Sequence, residues 1–383
     1  MSSTQIVCQL RPIEDIVQLA DSWQRLESDT DCSYFLSWGW IGTWLAQLPD
    51  TVKPLVFTAL ESAKVVGLAI VVSRPSRRHG ILHSRSLYLN KTGDAFLDEI
   101  TIEYNGILVD ASRRAVVMTA ALDFFLVCDW DEVFIDAAVS HIIDGIHPSN
   151  FWTIRQQMAW SAYGVDLQRL REPGNSHIDM VGANTRQKIR HALRAYQQLG
   201  PTRIEVARDR QEARFWLEEL RHLHQASWMA KGFSGAFDNA FFEQFHRALV
   251  FERFGHGEIQ LLRIGFGDRT IGYLYNFVWN GVVFSYQSGF DYNALPGKKN
   301  WPGAIAHCLA IEFNQQQGAL YYDFLGGDSQ LKRTLSTVTT SLDWIVAQRN
   351  CLKFKLEHRA RTVRNILFRT ESMSALKKTA GNQ

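Results

Sequence analysis

The sequence predicts an α/β protein built from two similar units, each a mixed, mainly antiparallel twisted sheet flanked by helices. Three observations predict this class. The chain has 383 residues, of which 46% are hydrophobic, and so exceeds the usual size of one compact domain. Short β-rich runs joined by tight turns alternate with segments of helical period. A glycine near the start of the second strand of a hairpin occurs in both halves, at Gly67 and Gly272, which suggests a duplicated unit.

The first half begins with a predicted helix that starts at Pro12. Apolar residues recur at helical spacing from Ile16 to Leu26, and acids occupy the first turn. The aromatic segment Tyr34–Trp44 is expected to pack in the core, because no basic residue is interleaved with it. The other predicted elements are a hairpin of Leu55–Leu60 and Val65–Val72, strands at Ile81–Leu89, Ile102–Val109 and Glu132–Asp136, and a helix at Arg113–Val127.

The second half opens with a basic helix up to Tyr196, for which Asn184 is the predicted N-cap. Asp209 and Glu212 have the form of a capping box and predict the start of a second helix. The turn Asn280-Gly281 favours a type I′ hairpin. The elements that follow the capping box are a helix at Phe241–Val250 and a meander of strands at Glu258–Ile264, Ile271–Trp279 and Val282–Phe290.

The stretch Phe284–Leu335 combines a strand end, a loop with two lysines, a helix and a second strand. Pro302, near the helix start, needs no amide partner, and the amides of the next two residues, Gly303 and Ala304, remain free. Such a helix N-terminus, with Lys298 and Lys299 beside it, can bind a pyrophosphate. A solvated loop with two surface lysines is the alternative, which the spacing alone supports equally.

Two elements are predicted near the C-terminus. Residues Thr337–Ala347 form a strand pair or a long edge strand, and Lys353–Arg369 form a helix rich in Lys and Arg. A basic amphipathic helix can lie on an anionic membrane surface. The alternative is a helix packed on the domain with its charges in water.

The composition restricts the classes of function. A formal net charge of +2 gives no support for DNA binding. The five cysteines show no metal-ligand spacing, so no metal is predicted and reduced thiols in a cytoplasmic protein are expected. The N-terminal residues carry acids where a signal peptide needs an apolar run. Dinucleotide and P-loop motifs are absent, and no nucleophile–histidine pairing can be argued from spacing.

Three motifs together resemble a known family. They are Asn184-Thr185-Arg186, Trp228-x-x-Lys231-Gly232 and Tyr322-Asp323-Phe324-Leu325-Gly326-Gly327-Asp328-x-x-x-Lys332-Arg333. They are similar to landmarks of the CelD-like, or FemAB-like, branch of the GNAT-superfamily acetyltransferases. The resemblance covers residues 167–347 closely and the first half in outline. It implies two tandem GNAT-like units, residues 1–165 and 166–350, followed by a basic C-terminal helix and tail, residues 351–383.

The resemblance also implies a site. A donor, acetyl-CoA or another acyl-CoA, would lie between the strands Val282–Phe290 and Leu320–Leu325. The residues implied to bind it are Ser288 and Gly289 at the pantetheine arm and Lys298, Lys299, Gly303 and Ala304 at the phosphates. The candidate catalytic residues are Asp323, Asp328 and Lys332. The candidate substrate-binding residues are Arg186, Trp228, Lys231 and Arg333.

The chain departs from the family pattern at one position. Relatives commonly have Tyr just before the lysine of the last motif, and this chain has Leu331. A tyrosine that protonates the leaving thiolate would then be Tyr286, Tyr321 or Tyr322, with Tyr286 the candidate retained as catalytic. The candidate bases are Asp291, His307 and Asp328, although a histidine within an apolar helix is more typical of a core residue than of a catalyst.

These features predict an acyl-CoA-dependent N- or O-acyltransferase that modifies an amino sugar, a polysaccharide precursor or another cell-envelope building block, as in exopolysaccharide biosynthesis. One alternative is a Fem-type aminoacyl transferase that uses aminoacyl-tRNA, which the absence of a charged heptad array makes less favoured. Another is a non-catalytic GNAT-like scaffold. The expected location is the cytoplasm, with peripheral contact to the inner face of the membrane through the basic C-terminal helix.

Overall fold

The computed structural model describes residues 5–78, 82–127, 130–146, 148, 150–172, 175–295 and 300–357. The strands are β1 (Ile6–Pro12), β2 (Pro54–Glu61), β3 (Lys64–Arg78), β4 (Leu82–Leu89), β5 (Leu108–Val109), β6 (Glu132–Val139), β7 (Trp152–Asp166), β8 (Thr202–Val206), β9 (Ile259–Phe266), β10 (Arg269–Trp279), β11 (Val282–Phe290), β12 (Tyr321–Gly326) and β13 (Val338–Arg349). The α-helices are α1 (Ile16–Ser28), α2 (Trp38–Gln47), α3 (Arg114–Val127), α4 (His177–Met180), α5 (Ala183–Gln197), α6 (Arg210–Met229), α7 (Ala240–Arg253), α8 (Pro302–Gln316) and α9 (Gln330–Leu335).

The described strands form one large sheet. Its order is β1-β2-β3-β4-β6-β13-β7-β12-β11-β10-β9-β8, with β5 paired to β3. Two of the described pairs, β4 with β6 and β11 with β12, are parallel, and the other pairs are antiparallel. The predicted fold class, a mixed and mainly antiparallel α/β fold flanked by helices, is therefore confirmed.

The two halves of the sheet repeat one arrangement. In the first, the meander β2-β3-β4 is followed by α3 and by β6, which pairs parallel to β4. In the second, the meander β9-β10-β11 is followed by α8 and by β12, which pairs parallel to β11. Each half then exchanges its last strand, since β7 pairs with β12 and β13 pairs with β6. The boundaries 1–165 and 166–350 stay a prediction.

Three large apolar clusters cover the two faces of the sheet. The largest joins α1 and α2 of the first half to α6 and α7 of the second, and it contains the aromatic segment that begins at Tyr34. Trp40, for example, has its ring centroid 4.8 Å from that of Phe245. The other two clusters lie beneath α5 and α8 and beneath α3. The first cluster therefore holds the halves together, as its aromatic composition predicts.

Three sequence predictions are wrong in detail. Pro12 ends strand β1 instead of opening a helix, because the side chain of Asp15 accepts hydrogen bonds from the first amides of α1 and fixes its start at Ile16. Asn184 lies within the first turn of α5, whose N-cap is Gly182. The strand predicted at Ile102–Val109 is limited to β5.

Strand β13 is also not at an edge. It lies in the middle of the sheet and pairs with both β6 and β7. The predicted C-terminal helix falls largely outside the described residues. The described part of it, residues 352–357, is helical. None of the helices in the described ranges has the length and hydropathy needed to cross a membrane.

Candidate functional site

A gap separates β11 from β12. The two strands pair only from Val282 to Phe284, opposite Tyr321 to Asp323. Beyond that point β11 continues to Phe290 with β10 as its partner, while β12 pairs with β7. The parallel strands therefore diverge and leave backbone groups of β11 without a neighbouring strand on one side.

Helix α8 crosses this gap on one face. The ring of His307 lies 5.8 Å from that of Phe290 on β11 and 5.2 Å from that of Phe324 on β12. Burial lowers the pKa of His307 to about 3, and its Nδ1 is 3.1 Å from the hydroxyl of Tyr322. His307 is thus a neutral residue that packs across the gap, in keeping with the core interpretation of its position.

The N-terminus of α8 lies at the end of β11. Gly303 packs so closely on Phe290 that a Cβ would lie 3.0 Å from the ring. Trp301, the N-cap, has a φ of 42°, and its carbonyl accepts the amide of Ile305. The amides of Gly303 and Ala304 precede the first intrahelical donor, so they are the ones a helix N-terminus offers to an anion.

A basic cavity of about 420 Å³ opens beside this helix start. It is lined by Gln187, Lys188, His191, Arg194 and Trp301. The ammonium group of Lys188 lies 5.3 Å from the centroid of the Trp301 ring. The sequence indicates a basic helix here, of which only Arg186 is a predicted ligand. The spacing of three to four between the cavity residues of α5 places them on one helix face. The predicted phosphate ligands Lys298 and Lys299 lie outside the described residues.

Buried charged groups meet at the end of β12. The Tyr104 hydroxyl donates to Asp323 Oδ2 at 2.6 Å, and the Gly326 amide donates to Glu103 Oε2 at 2.6 Å. Lys332 Nζ donates to the carbonyl of Gly326 at 2.5 Å. Glu103, Tyr104, Asp323 and Lys332 are called here the carboxylate–lysine cluster. Glu103 and Tyr104 lie in the other half of the chain with no motif around them, so no sequence pattern indicates them as site residues.

Burial sets the protonation of this cluster. It raises the pKa of Glu103 to about 7, and the charge of Asp323 adds to the rise, while the Gly326 amide and Lys332 oppose it. Burial likewise raises the pKa of Asp323 to about 6 and lowers that of Lys332. Carboxyl groups with pKa values near neutrality can exchange protons with a substrate under physiological conditions.

The backbone around the cluster holds unusual conformations. Thr101, Tyr104 and Leu325 have positive φ angles of 41°, 51° and 65°, in the left-handed region that side chains disfavour. At Leu325 the register of β12 against β7 shifts, and the Leu325 amide bonds to Asp323 Oδ1 at 2.7 Å. Local strain of this kind is concentrated at functional sites in proteins.

The predicted pantetheine ligands lie on the free part of β11. The Ser288 carbonyl is 3.1 Å from Nδ1 of His224, a residue of α6. At Gly289, a Cβ would lie 2.3 Å from the carbonyl oxygen of Leu220. Glycine at this position is therefore required by the close approach of α6. Tyr286 is packed among aromatic rings, and its hydroxyl donates to the Ile100 carbonyl.

The remaining predicted residues contact other side chains of the protein. Arg186 forms an ion pair with Asp179 at 3.5 Å. Arg333 pairs with Asp328, which also accepts the Tyr163 hydroxyl at 3.0 Å. The predicted substrate ligands at the C-terminal end of α6 are in contact, since the ammonium group of Lys231 lies 5.2 Å from the centroid of the Trp228 ring. The candidate base Asp291 is ion-paired to Arg269 at 2.7 Å.

The diverging pair of parallel strands and the helix that crosses it lie in the part of the chain that has a GNAT-type fold. Residues 183–333 match the family model described as Acetyltransferase (GNAT) domain, and this match supports an acyltransferase. A sequence comparison with curated proteins found no match. In the described residues, no group of three or more His, Cys, Asp or Glu side chains could hold a metal ion.

Solved structures share the fold along most of the chain. FemX matches with a TM-score of 0.54 and 12% identity, covering 85% of this chain and 95% of that chain. The C-terminal domain (DUF2156) of a putative lysylphosphatidylglycerol synthetase from Agrobacterium fabrum matches with a TM-score of 0.50 and 10% identity, covering 91% and 96%. At these identities the similarity shows the fold alone.

Proposed function

We propose that this protein transfers an acyl group from acyl-CoA directly to an amine or hydroxyl of an amino sugar or another cell-envelope precursor. The observation that carries the proposal is the gap between β11 and β12, whose strands pair over only three residues. A pantetheine arm is extended and polar along its length, so it can bond to strand amides and carbonyls that lack a partner strand. Acetyl-CoA is the simplest such donor.

The donor phosphates would lie at the start of α8. The free amides of Gly303 and Ala304 and the positive charge of the basic cavity favour an anion there. Lys188 and Arg194 are the cations that line the cavity, and Trp301 offers a ring face to the adenine. The loop lysines 298 and 299 remain predicted ligands of the same phosphates.

The acceptor would enter next to the carboxylate–lysine cluster. Of the predicted catalytic residues, Asp323 and Lys332 belong to this cluster. Asp328 is exposed and ion-paired, and the Tyr286 hydroxyl donates a hydrogen bond to a backbone carbonyl. Trp228, Lys231, Arg186 and Arg333 remain proposed acceptor ligands. An amine or hydroxyl attacks the thioester carbonyl, the C–S bond breaks, and coenzyme A leaves as the thiol.

Binding of coenzyme A to the cavity variants tests the donor assignment. The substitutions Lys188→Ala and Arg194→Ala each remove a charged hydrogen-bond donor and should weaken the affinity for coenzyme A about tenfold in calorimetry. Arg190→Ala is the matched control, because Arg190 lies on the same helix but pairs with Asp179 at 2.7 Å. Equal affinity in all four proteins, wild type included, would place the donor elsewhere.

A Fem-type aminoacyl transferase is the second candidate, and the fold similarity to FemX is the observation that favours it. The two candidates differ in the donor. Under the leading proposal, acetyl-CoA supports product formation and charged tRNA does not. Transfer from aminoacyl-tRNA without transfer from acetyl-CoA would establish the second candidate instead.

A further inference from the structure

The first half of the sheet has an opening of its own. Strands β4 and β6 pair parallel over only Ser86–Tyr88 and Glu132–Phe134, just as β11 and β12 do. This opening is filled by the chain itself. The Asn105 amide group donates to the carbonyl of Leu89 at the end of β4, and the Asn105 backbone amide donates to the carbonyl of Ala137 beyond the paired part of β6. In the first half, hydrogen bonds of the chain itself therefore bridge the gap between the two strands.

Further buried hydrogen bonds hold residues 103–106, the segment that fills this opening, in place. The side chain of Asn90 donates to Asn105 Oδ1 at 2.9 Å and to the Gly106 carbonyl at 2.8 Å, and it accepts the Ile70 amide at 2.8 Å. Both asparagines are almost fully buried, with exposed fractions of 3% and 1%. Such a buried hydrogen-bonded network is rigid, so the residues next to Asn105 are held in fixed positions.

The same segment reaches the site in the second half. Glu103 and Tyr104 directly precede Asn105, and they bond to Gly326 and Asp323 on β12. Glu103 Oε2 accepts the Gly326 amide, whereas Oε1 accepts no hydrogen bond within the described ranges of the chain. One carboxylate oxygen is thus anchored while the other is free to accept a proton.

We infer that Glu103 is the general base of the transfer reaction, contributed to the second half's site by the segment that closes the first half's gap. This inference rests on the proposed function. The free oxygen of Glu103 takes the proton of the acceptor amine or hydroxyl as its nitrogen or oxygen bonds to the thioester carbon. When the C–S bond breaks, the proton passes to the leaving thiolate, and Glu103 returns to the carboxylate form.

Four titratable groups interact with the Glu103 carboxyl group. Lys332 on α9 favours the carboxylate form, whereas Asp323 on β12 disfavours it. Tyr104 on the same segment and Tyr286 on β11 stay neutral, because their burial raises the pKa of each hydroxyl. The base is active when deprotonated, so the rate should rise with pH through a pKa of about 7.

The substitution Glu103→Gln tests the inference. Gln keeps an oxygen for the Gly326 amide but cannot take a proton. We expect kcat for thiol release from acetyl-CoA, with glucosamine or water as acceptor, to fall at least about 100-fold, and the limb near pH 7 to disappear. The dissociation constant for coenzyme A should not increase, and the melting temperature should not fall. Glu99→Gln is the control and should behave like the wild type, because Glu99 is an exposed residue shortly before this segment.

The outcomes separate this inference from the proposed function. If wild type and Glu103→Gln release thiol at similar rates with the same pH profile, Glu103 is not the base and the proposed function stands. If the wild type neither binds coenzyme A nor releases thiol from acetyl-CoA, the proposed function is wrong and the inference is overturned with it. A Glu103→Gln protein that loses coenzyme A binding would show a positioning role only, which also overturns the inference.

Discussion

At the scale of single residues, the carboxylate–lysine cluster has fewer positive than negative charges when all its members are ionised. Glu103 and Asp323 are both buried, and Lys332 is the one cation of the cluster. Taking two carboxylates out of water beside one ammonium group is unfavourable, so the proton affinity of both acids rises. The arrangement lowers stability at neutral pH and provides a base with a useful pKa, which is a common compromise at active sites.

The pH dependence of stability should show this cost. The pKa of Glu103 is about 7 in the folded protein and about 4.5 for an ordinary Glu. Between these values the folded state binds more protons than the unfolded state, so stability falls as pH rises. Glu103→Gln should remove this loss, and its free energy of unfolding relative to the wild type should increase by about 3 kcal/mol from pH 4.5 to above pH 7.

Denaturant titrations at several pH values measure this difference. Asp323 titrates in both proteins, so the difference between the two curves reports Glu103 together with its electrostatic coupling to Asp323. The control Glu99→Gln concerns an exposed side chain and should follow the wild-type curve. Parallel curves for wild type and Glu103→Gln would contradict a raised pKa at Glu103.

A second residue-scale prediction concerns Gly289. A methyl group at this position would meet the Leu220 carbonyl oxygen at 2.3 Å, so α6 or β11 must shift. Gly289→Ala should lower the free energy of unfolding by about 1–3 kcal/mol, as overpacked cores do. Gly182→Ala is the control, since no heavy atom lies within 4 Å of its Cβ and only the weaker N-cap preference is affected. Chemical denaturation compares the two, and equal losses would refute the packing explanation.

At the scale of elements, the two openings of the sheet have different fates. The β4–β6 opening is closed by buried asparagines, whereas β11 beyond Phe284 has no partner strand on the side of β12 in the described part of the chain. A donor in the second opening should bond to these groups and slow their exchange with solvent.

Hydrogen exchange followed by mass spectrometry tests this difference. Addition of coenzyme A should protect peptides that cover residues 285–290 of β11. Peptides that cover β4 should exchange at the same rate with and without coenzyme A, because the equivalent opening is already filled. Protection of β4 in place of β11 would assign the donor to the first half.

At the scale of the whole molecule, neither half has a complete sheet of its own. Strand β13, at the end of the second half, lies between β6 and β7, and β7 of the first half supplies the neighbour of β12. The largest apolar cluster also contains residues of both halves. The halves should therefore unfold as one cooperative unit.

Calorimetry of the full chain checks this expectation. We predict a single transition whose calorimetric and van't Hoff enthalpies agree. Replacement of Val346 by Asp, in buried β13, should lower the melting temperature of that single transition without splitting it. Two separate transitions, one of them unaffected by the substitution, would show that the halves are independent.

Local sequence patterns were enough to predict most secondary-structure elements and one half of the proposed site. Hydrophobic period, the Asp209 cap and the Asn280-Gly281 turn are local signals, so most helices and both meanders could be predicted, and Asp323 and Lys332 lie in a recognisable motif. The order of the strands and the other half of the site depend on contacts between distant parts of the chain. The central place of β13 and the contact of Glu103 and Tyr104 with β12 join residues some 200 positions apart, and no local pattern encodes which distant strand or loop will be the partner.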